Sequence, residues 1–458
     1  MIKSIFKIFK SNLIKVIVTL MTTFMIPICL SVSGYGEYKV FQLYVSYMGI
    51  MHLGFCDGIF LKYGGLTIEN NKNTIENEHT TFYVYVIILT VIFVVASFLL
   101  NNVLLFAFSL CIIPSLLFNY YTYLYQSLGE FQRYTRILNI NSILNIISYL
   151  ILIFVFRISD YRFYIVVYII IGYTINFYCL FDFHHLQNLR LGRFSIESLV
   201  KPIKLGILLM IGNFSYIFLQ NIDKWFVKWK FSLDFFSYYS FACQLLTVFN
   251  MFIMPISIVL FNYFCNQKNK LKEFEVLRKI IYLLLMIVSL YFWLNYIISN
   301  FLIKYQSSLK ILLILFIAQV FLTINNAFFV NLYKVYKEQN FYFVSLLFII
   351  ILSIILNYLF LILYDSVFSI ALATLVSMIV WTLINFKHFA YLKYFKKELI
   401  AIVVSSLSLV VFDFFKQPLL GFSSYLLVFL VTSHILMKES QKYFLKLIIK
   451  ATNKLYCK

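Results

Sequence analysis

The chain has 458 residues, 62% of them hydrophobic and 12% charged, so a water-soluble fold would lack the polar surface to cover itself. The net charge of +20 would point to nucleic acid in a soluble protein. Here the Lys and Arg residues sit in short connections between apolar runs, where they act as topology signals, and no nucleic-acid partner is expected. Apolar stretches of about twenty residues without period-two alternation exclude a β-barrel and leave helices, which satisfy their own backbone groups in lipid. The fold class expected is therefore all-α and polytopic. Seven cysteines, Cys29 to Cys457, are scattered singly with no Cys-x-x-Cys pair, so neither a disulfide framework nor a metal site is indicated. No cofactor is expected.

In chain order, the basic stretch from Met1 to Lys10 leads into an apolar run too long for a signal peptide, which is the first span. Spans are expected near 13–32, 38–61, 81–101, 103–126, 137–157 and 161–181, giving an N-terminal six-helix bundle over residues 1–181. A polar cytoplasmic connection, 182–202, contains His184, His185, Arg190, Arg193, Glu197 and Lys201. A second six-helix bundle over 203–391 follows, with spans near 203–228, 236–263, 280–302, 309–332, 341–363 and 367–391. A helix pair near 398–414 and 418–436 and a basic tail complete a C-terminal region, 392–458. The total is about fourteen helices. Most Lys and Arg residues fall in connections on the same side as the N-terminus, which predicts both termini in the cytoplasm.

No connection is long enough for a soluble domain, and no phosphate-cradling Gly-x-x-x-x-Gly-Lys-Ser/Thr motif occurs. An ATP-driven pump is thereby disfavoured. Membrane glycosyltransferases and polysaccharide polymerases, which place acidic catalytic residues in sizeable outer loops, fit poorly with outer loops of only a few residues. The expectation is a protein that is not an enzyme.

The strongest local signal spans the first two helices: Gly34-Tyr35-Gly36-Glu37-Tyr38, read as an outer turn, then Gly49, Leu53-Gly54 and Gly58. Two more stretches follow, Asn221-Ile222-Asp223-Lys224 with Phe236 to Ala242, and Ile370-Ala371-Leu372-Ala373-Thr374. In order and spacing these resemble the polysaccharide-transport family, the Wzx-like flippases of the multidrug/oligosaccharidyl-lipid/polysaccharide exporter superfamily. The last stretch departs from the family pattern, with Ser369-Ile370 where a glycine is common. The resemblance implies a flippase that moves an undecaprenyl-diphosphate-linked oligosaccharide repeat unit across the bacterial inner membrane, by alternating access of two bundles, for O-antigen, capsule or exopolysaccharide assembly. It implies as partners the lipid-linked oligosaccharide, membrane lipids, and a polysaccharide polymerase with its chain-length regulator. A membrane oligosaccharide polymerase or glycosyltransferase, and a small-molecule exporter of the same superfamily, are the competing readings.

Charges within spans cost about 2.5–3.5 kcal/mol each on insertion scales, so they face a cavity or a partner. The candidates are Lys15, His52, Asp57, Asp223 and Lys224. Lys15 shares a helical face with Thr19, Thr22 and Thr23 and suits a phosphate, although a lysine there can also snorkel to headgroups. His52 falls near mid-depth in the second helix, either bonding substrate or simply packed. Asp57 is placed to pair with Lys15. Asp223 and Lys224 are expected toward the outer end of the seventh helix, after Asn213, Gln220 and Asn221, as cavity residues or as a helix-end anchor.

Overall fold

The computed structural model describes residues 13–186, 189–266, 269–392, 395–415 and 417–446; a few side chains within these ranges, Lys15 among them, also lie outside the description. Every regular element among the described residues is helical, as the all-α expectation requires. Ten of the described helical segments are long and apolar enough to cross a membrane, by length and composition. The chain is a multi-pass membrane protein.

The chain divides into two compact units, one comprising Ile14–Ile222 and the other the chain from Asp223 onward. The first contains α1 (Leu13–Cys29), α2 (Val32–Ser46), α3 (Phe55–Lys62), α4 (Ile68–Leu99), α5 (Val103–Ser127), α6 (Phe131–Leu150), α7 (Tyr161–Phe181) and α8 (Ile196–Leu219). The division thus places α8, which follows the charged connection, with the helices before that connection.

Three local features differ from the sequence expectation. Gly34 to Tyr38 form no turn, because Ser31 accepts the Gly34 N–H at 3.0 Å and starts α2 at Val32. The second span, expected as continuous over 38–61, is broken. After α2 comes a 3-10 turn, Met48–His52, and then Leu53 and Gly54 both adopt left-handed backbone, with φ of +51° and +86°, before α3 begins. Tyr85 ties this break down by donating to the Met51 carbonyl at 2.6 Å. Finally, α4 starts at Ile68 rather than near 81, because a run of polar residues extends the helix beyond its apolar core.

Helix α3 crosses α8 with almost no side chain between them. A Cβ on Gly58 would lie 1.9 Å from the Pro202 carbonyl oxygen, and one on Gly206 would lie 2.1 Å from the Gly54 oxygen and 2.2 Å from the Gly58 nitrogen. Gly54-x-x-x-Gly58 meets Pro202-x-x-x-Gly206 backbone to backbone, the small-residue crossing that lipid-embedded helices use where no hydrophobic driving force separates helix from lipid.

The segment before α8 is strapped along α4. Four of its backbone N–H groups, at Arg190, Gly192, Arg193 and Ser195, donate to Glu76, Thr80, Asn77 and Thr81 at 2.6–3.1 Å. Gly192 is obligatory there, since a Cβ would fall 2.4 Å from the Asn77 nitrogen. Two buried carboxylates of this unit are held by cations and tyrosine hydroxyls. Glu78 takes Lys62 at 2.5 Å and the Tyr63 hydroxyl at 2.6 Å, and Asp182 takes Arg133 at 2.7 Å and the Tyr125 hydroxyl at 2.9 Å.

The second unit runs through α9 (Ile222–Lys230), α10 (Leu233–Asn266), α11 (Lys270–Val288), α12 (Leu290–Phe301), α13 (Leu309–Thr323), α14 (Val330–Tyr336), α15 (Gln339–Leu363), α16 (Val367–His388), α17 (Lys396–Asp413) and α18 (Pro418–Leu436). Between α13 and α14 a wide helical turn, Ile324–Phe329, brings Asn325 into a buried chain: Tyr333 donates to Asn385, Asn385 to Asn325, and Asn325 to Thr382, at 2.8–3.1 Å. Gln319 bonds Asn250 across helices at 2.6 Å, the interhelical role expected of uncharged polar groups in lipid.

The last two helices are fastened to α11 and α12 by polar groups. Arg278 pairs with the fully buried Glu398, Tyr425 donates to the Leu285 carbonyl at 2.7 Å, and Asp413 receives the Tyr291 hydroxyl at 2.5 Å. Breaking a buried ion pair costs about 3–5 kcal/mol because it strands the partner charge. Arg278 keeps some solvent contact and a second carboxylate, Glu439, at 3.9 Å. Glu398→Ala is therefore expected to cost about 2–3 kcal/mol, below that range. Thermal unfolding in detergent checks this: the Arg278→Leu/Glu398→Ala double variant should recover part of the loss, and equal losses in the single and double variants would contradict it.

Candidate functional site

The break in the second span is what builds the site. Left-handed Leu53 and Gly54 interrupt the helix, so His52 closes one segment and Asp57 sits in the first turn of the next. The Gly54 N–H donates to His52 Nδ1 at 3.1 Å, which leaves the ring proton of the neutral imidazole on Nε2. Nε2 lies 3.8 Å from Asp57 Oδ2, beyond hydrogen-bond reach but within pairing distance. On its other side, Asp57 Oδ1 receives Asn213 Nδ2 from α8 at 3.2 Å. Asp57 is 1% exposed and His52 5%, so both are withdrawn from bulk water.

Asp57 and Asn213 line a cavity of about 410 Å³ shared with Thr122, Tyr123 and Gln126 of α5 and Tyr134 of α6. The wall is part polar and part aromatic; among the described residues Asp57 is its one carboxylate, and no described Lys or Arg contributes. Such a chamber offers hydrogen-bond donors and acceptors to a hydroxylated or amine-bearing guest, with a single acidic anchor. It lies against the Gly58 and Gly206 crossing, so any separation of α3 from α8 also parts Asp57 from Asn213.

The remaining candidates are Lys15, Asp223 and Lys224. Lys15 lies in α1, but its side chain, and with it the expected pairing with Asp57, is outside the described residues; among those described, Asp57 meets Asn213 and His52. Thr22 bonds the Thr19 carbonyl within its own helix at 3.1 Å, and Thr23 is buried. Asp223 and Lys224 are not at the end of the seventh helix. That helix stops at Leu219, and the two residues open the separate amphipathic helix α9. Asp223 is 7% exposed and is held by the Tyr239 hydroxyl at 2.6 Å and the Lys224 backbone N–H at 2.8 Å. This is a closed local tie between α9 and α10. Asp223 and Lys224 belong to the second compact unit, His52 and Asp57 to the first.

Two contributors escaped the sequence reading. Asn213 was visible only as part of a polar stretch, and its link to Asp57 requires knowing that α8 crosses α3. Tyr239 stood inside the Phe236 to Ala242 stretch, one of several tyrosines with nothing local to distinguish it. Among the described residues no cluster of three or more His, Cys, Asp or Glu side chains could hold a metal ion.

No family model matches the chain, and no curated protein matches it by sequence. Solved structures do match its fold. The lipid II flippase MurJ in an inward closed conformation superposes with a TM-score of 0.65 at 17% identity, covering 96% of this chain and 99% of that one. A multidrug resistance MATE family transporter of the MOP superfamily superposes in its inward-facing conformation with a TM-score of 0.57 at 12% identity, covering 84% of this chain and 96% of that one. Its outward-facing conformation gives 0.55 at 12% identity, covering 85% and 96%. The chain therefore has the helical fold of solved membrane transporters, over nearly its whole length.

Proposed function

We propose that this chain is a flippase that carries a lipid-linked oligosaccharide, an undecaprenyl-diphosphate repeat unit for O-antigen, capsule or exopolysaccharide, across the bacterial inner membrane by alternating access, without catalysis. The observation that carries the reading is the fold shared with a lipid II flippase over 96% of the chain. The ordered glycine and tyrosine motifs that resemble the polysaccharide-transport family support it and supply the substrate class. In this reading His52 and Asp57, with Asn213, contact the glycan, Lys15 receives the diphosphate, and Asp223 and Lys224 fix α9 at the outer end. Membrane lipids, a polymerase and a chain-length regulator are its partners, and both termini are cytoplasmic.

The test is deletion of the gene in its host, with leaflet orientation of the lipid-linked oligosaccharide assayed by an impermeant sugar-modifying reagent. Complete repeat units accumulating in the protected, cytoplasmic leaflet are the expected result. Single units that reach the outer face but are never joined would make the protein a polymerase.

One observation favours a second reading, a small-molecule exporter. The described residues lining the cavity at Asp57 include a carboxylate and no cation, a lining that suits an amine-bearing guest better than a diphosphate. Growth of the deletion strain on cationic dyes separates the two: hypersensitivity with normal surface glycan would select the exporter.

A further inference from the structure

We propose that the strap before α8 forms a binding site for an anionic phospholipid, independent of the transported substrate. The strap, residues 190–195, has its N–H groups turned into α4 at Glu76, Asn77, Thr80 and Thr81. Its backbone is thus fixed, and it leaves outward a mixture that water alone does not explain: Leu191 is 70% exposed and Phe194 56%, each directly after an exposed arginine, Arg190 and Arg193. Apolar side chains interleaved with cations are the composition of a segment lying in the headgroup layer, where each basic residue near an anionic surface contributes attraction.

Beside the strap is a cavity of about 410 Å³, lined by Leu191, by His79 and Tyr83 of α4, by Phe177 and Phe181 of α7, and by His184. Its volume is that of a small-molecule pocket. Phe177 is 74% exposed on a helix that crosses the membrane, so the mouth opens toward lipid. The wall is mostly aromatic and aliphatic, which fits an acyl chain. One polar atom of these lining residues is unexplained. His79 is 1% exposed; its Nε2 meets the Tyr121 hydroxyl at 2.8 Å, while its Nδ1 has no hydrogen-bond partner. A buried imidazole nitrogen left unbonded is costly, and the ester or hydroxyl of a glycerolipid is the group that would satisfy it. An acyl chain between Phe177 and Leu191, a glycerol ester at His79 and a phosphate at Arg190 and Arg193 account together for the cavity, the orphan nitrogen and the exposed cations. Occupancy would also hold the strap down on α4.

Native mass spectrometry of the delipidated full chain, titrated with dioleoyl phosphatidylglycerol or dioleoyl phosphatidylcholine, tests the site. Saturable binding of one phosphatidylglycerol is expected, at least about tenfold tighter than phosphatidylcholine. The Arg190→Gln/Arg193→Gln variant should lose that preference, and Leu191→Trp, which fills the cavity, should lose the bound lipid while keeping the circular dichroism and melting temperature of the parent. Arg162→Gln, an exposed arginine that precedes the apolar core of α7, should leave binding unchanged. Equal affinity for both lipids, an unchanged preference in the double arginine variant, or complete displacement by undecaprenyl phosphate would overturn the proposal. The last outcome would assign the groove to the substrate. None of these readouts depends on flippase activity, so the proposed function can fail while this site stands.

Discussion

Gly206→Leu is expected to abolish accumulation of folded protein, with Gly58→Leu doing the same. At both positions the first side-chain atom would meet backbone rather than a movable side chain, at 2.1 Å and 1.9 Å. Overpacking a core by a methylene or two costs about 1–3 kcal/mol when neighbours can shift. Here the neighbours are the carbonyls and amides of two helices in direct contact, and a leucine could enter only by driving α3 and α8 apart. The expected loss exceeds about 3 kcal/mol. Even Gly206→Ala should lower the melting temperature, because the clash begins at Cβ. Gly212 supplies the control on the same helix: a Cβ there meets nothing within 4 Å, so Gly212→Ala should be neutral or stabilising by up to about 1 kcal/mol through helix propensity. Size-exclusion profiles and thermal unfolding in detergent check the series. A monodisperse Gly206→Leu variant melting with the parent would show that the two helices do not meet as described.

The helical class was readable because it follows from quantities that lie along the chain: apolar run length, the lack of period-two alternation, and charges confined to connections. What stayed hidden depends on where helices meet. The glycines at 34 and 36 read as a turn, since nothing local reveals that Ser31 caps a helix across them. Leu53-Gly54 was singled out as a motif, yet a leucine with positive φ cannot be anticipated from residue type, so the break that separates His52 from Asp57 was missed. Asp57 was marked because a carboxylate among apolar residues is conspicuous. Asn213, which donates to it, lies 156 residues away and is placed there only by the α3 and α8 crossing. The same reasoning explains Glu78, Asp182 and Glu398. Each is buried against a cation, but in the sequence each lies near the end of an apolar run, where a charge looks solvated.

Asp57→Asn separates a functional carboxylate from a structural one. The amide oxygen of the new side chain can still accept Asn213 Nδ2 and still face His52, so folding should be kept within about 1 kcal/mol of the parent. What disappears is the negative charge in a chamber that holds no other. If that charge contacts substrate or couples to a cation during the cycle, transport should fall at least about tenfold, equivalent to about 1.4 kcal/mol of lost stabilisation. Asp57→Leu behaves differently, because it leaves the Asn213 amide without its acceptor and should destabilise by about 1–3 kcal/mol. The two variants, compared in melting temperature and in rescue of the deletion strain, give distinct patterns. An Asn variant that is stable and inactive places Asp57 in the transport path. An Asn variant that rescues fully, beside a Leu variant that fails to fold, makes Asp57 a tie between α3 and α8, and the site would then lie among residues other than these.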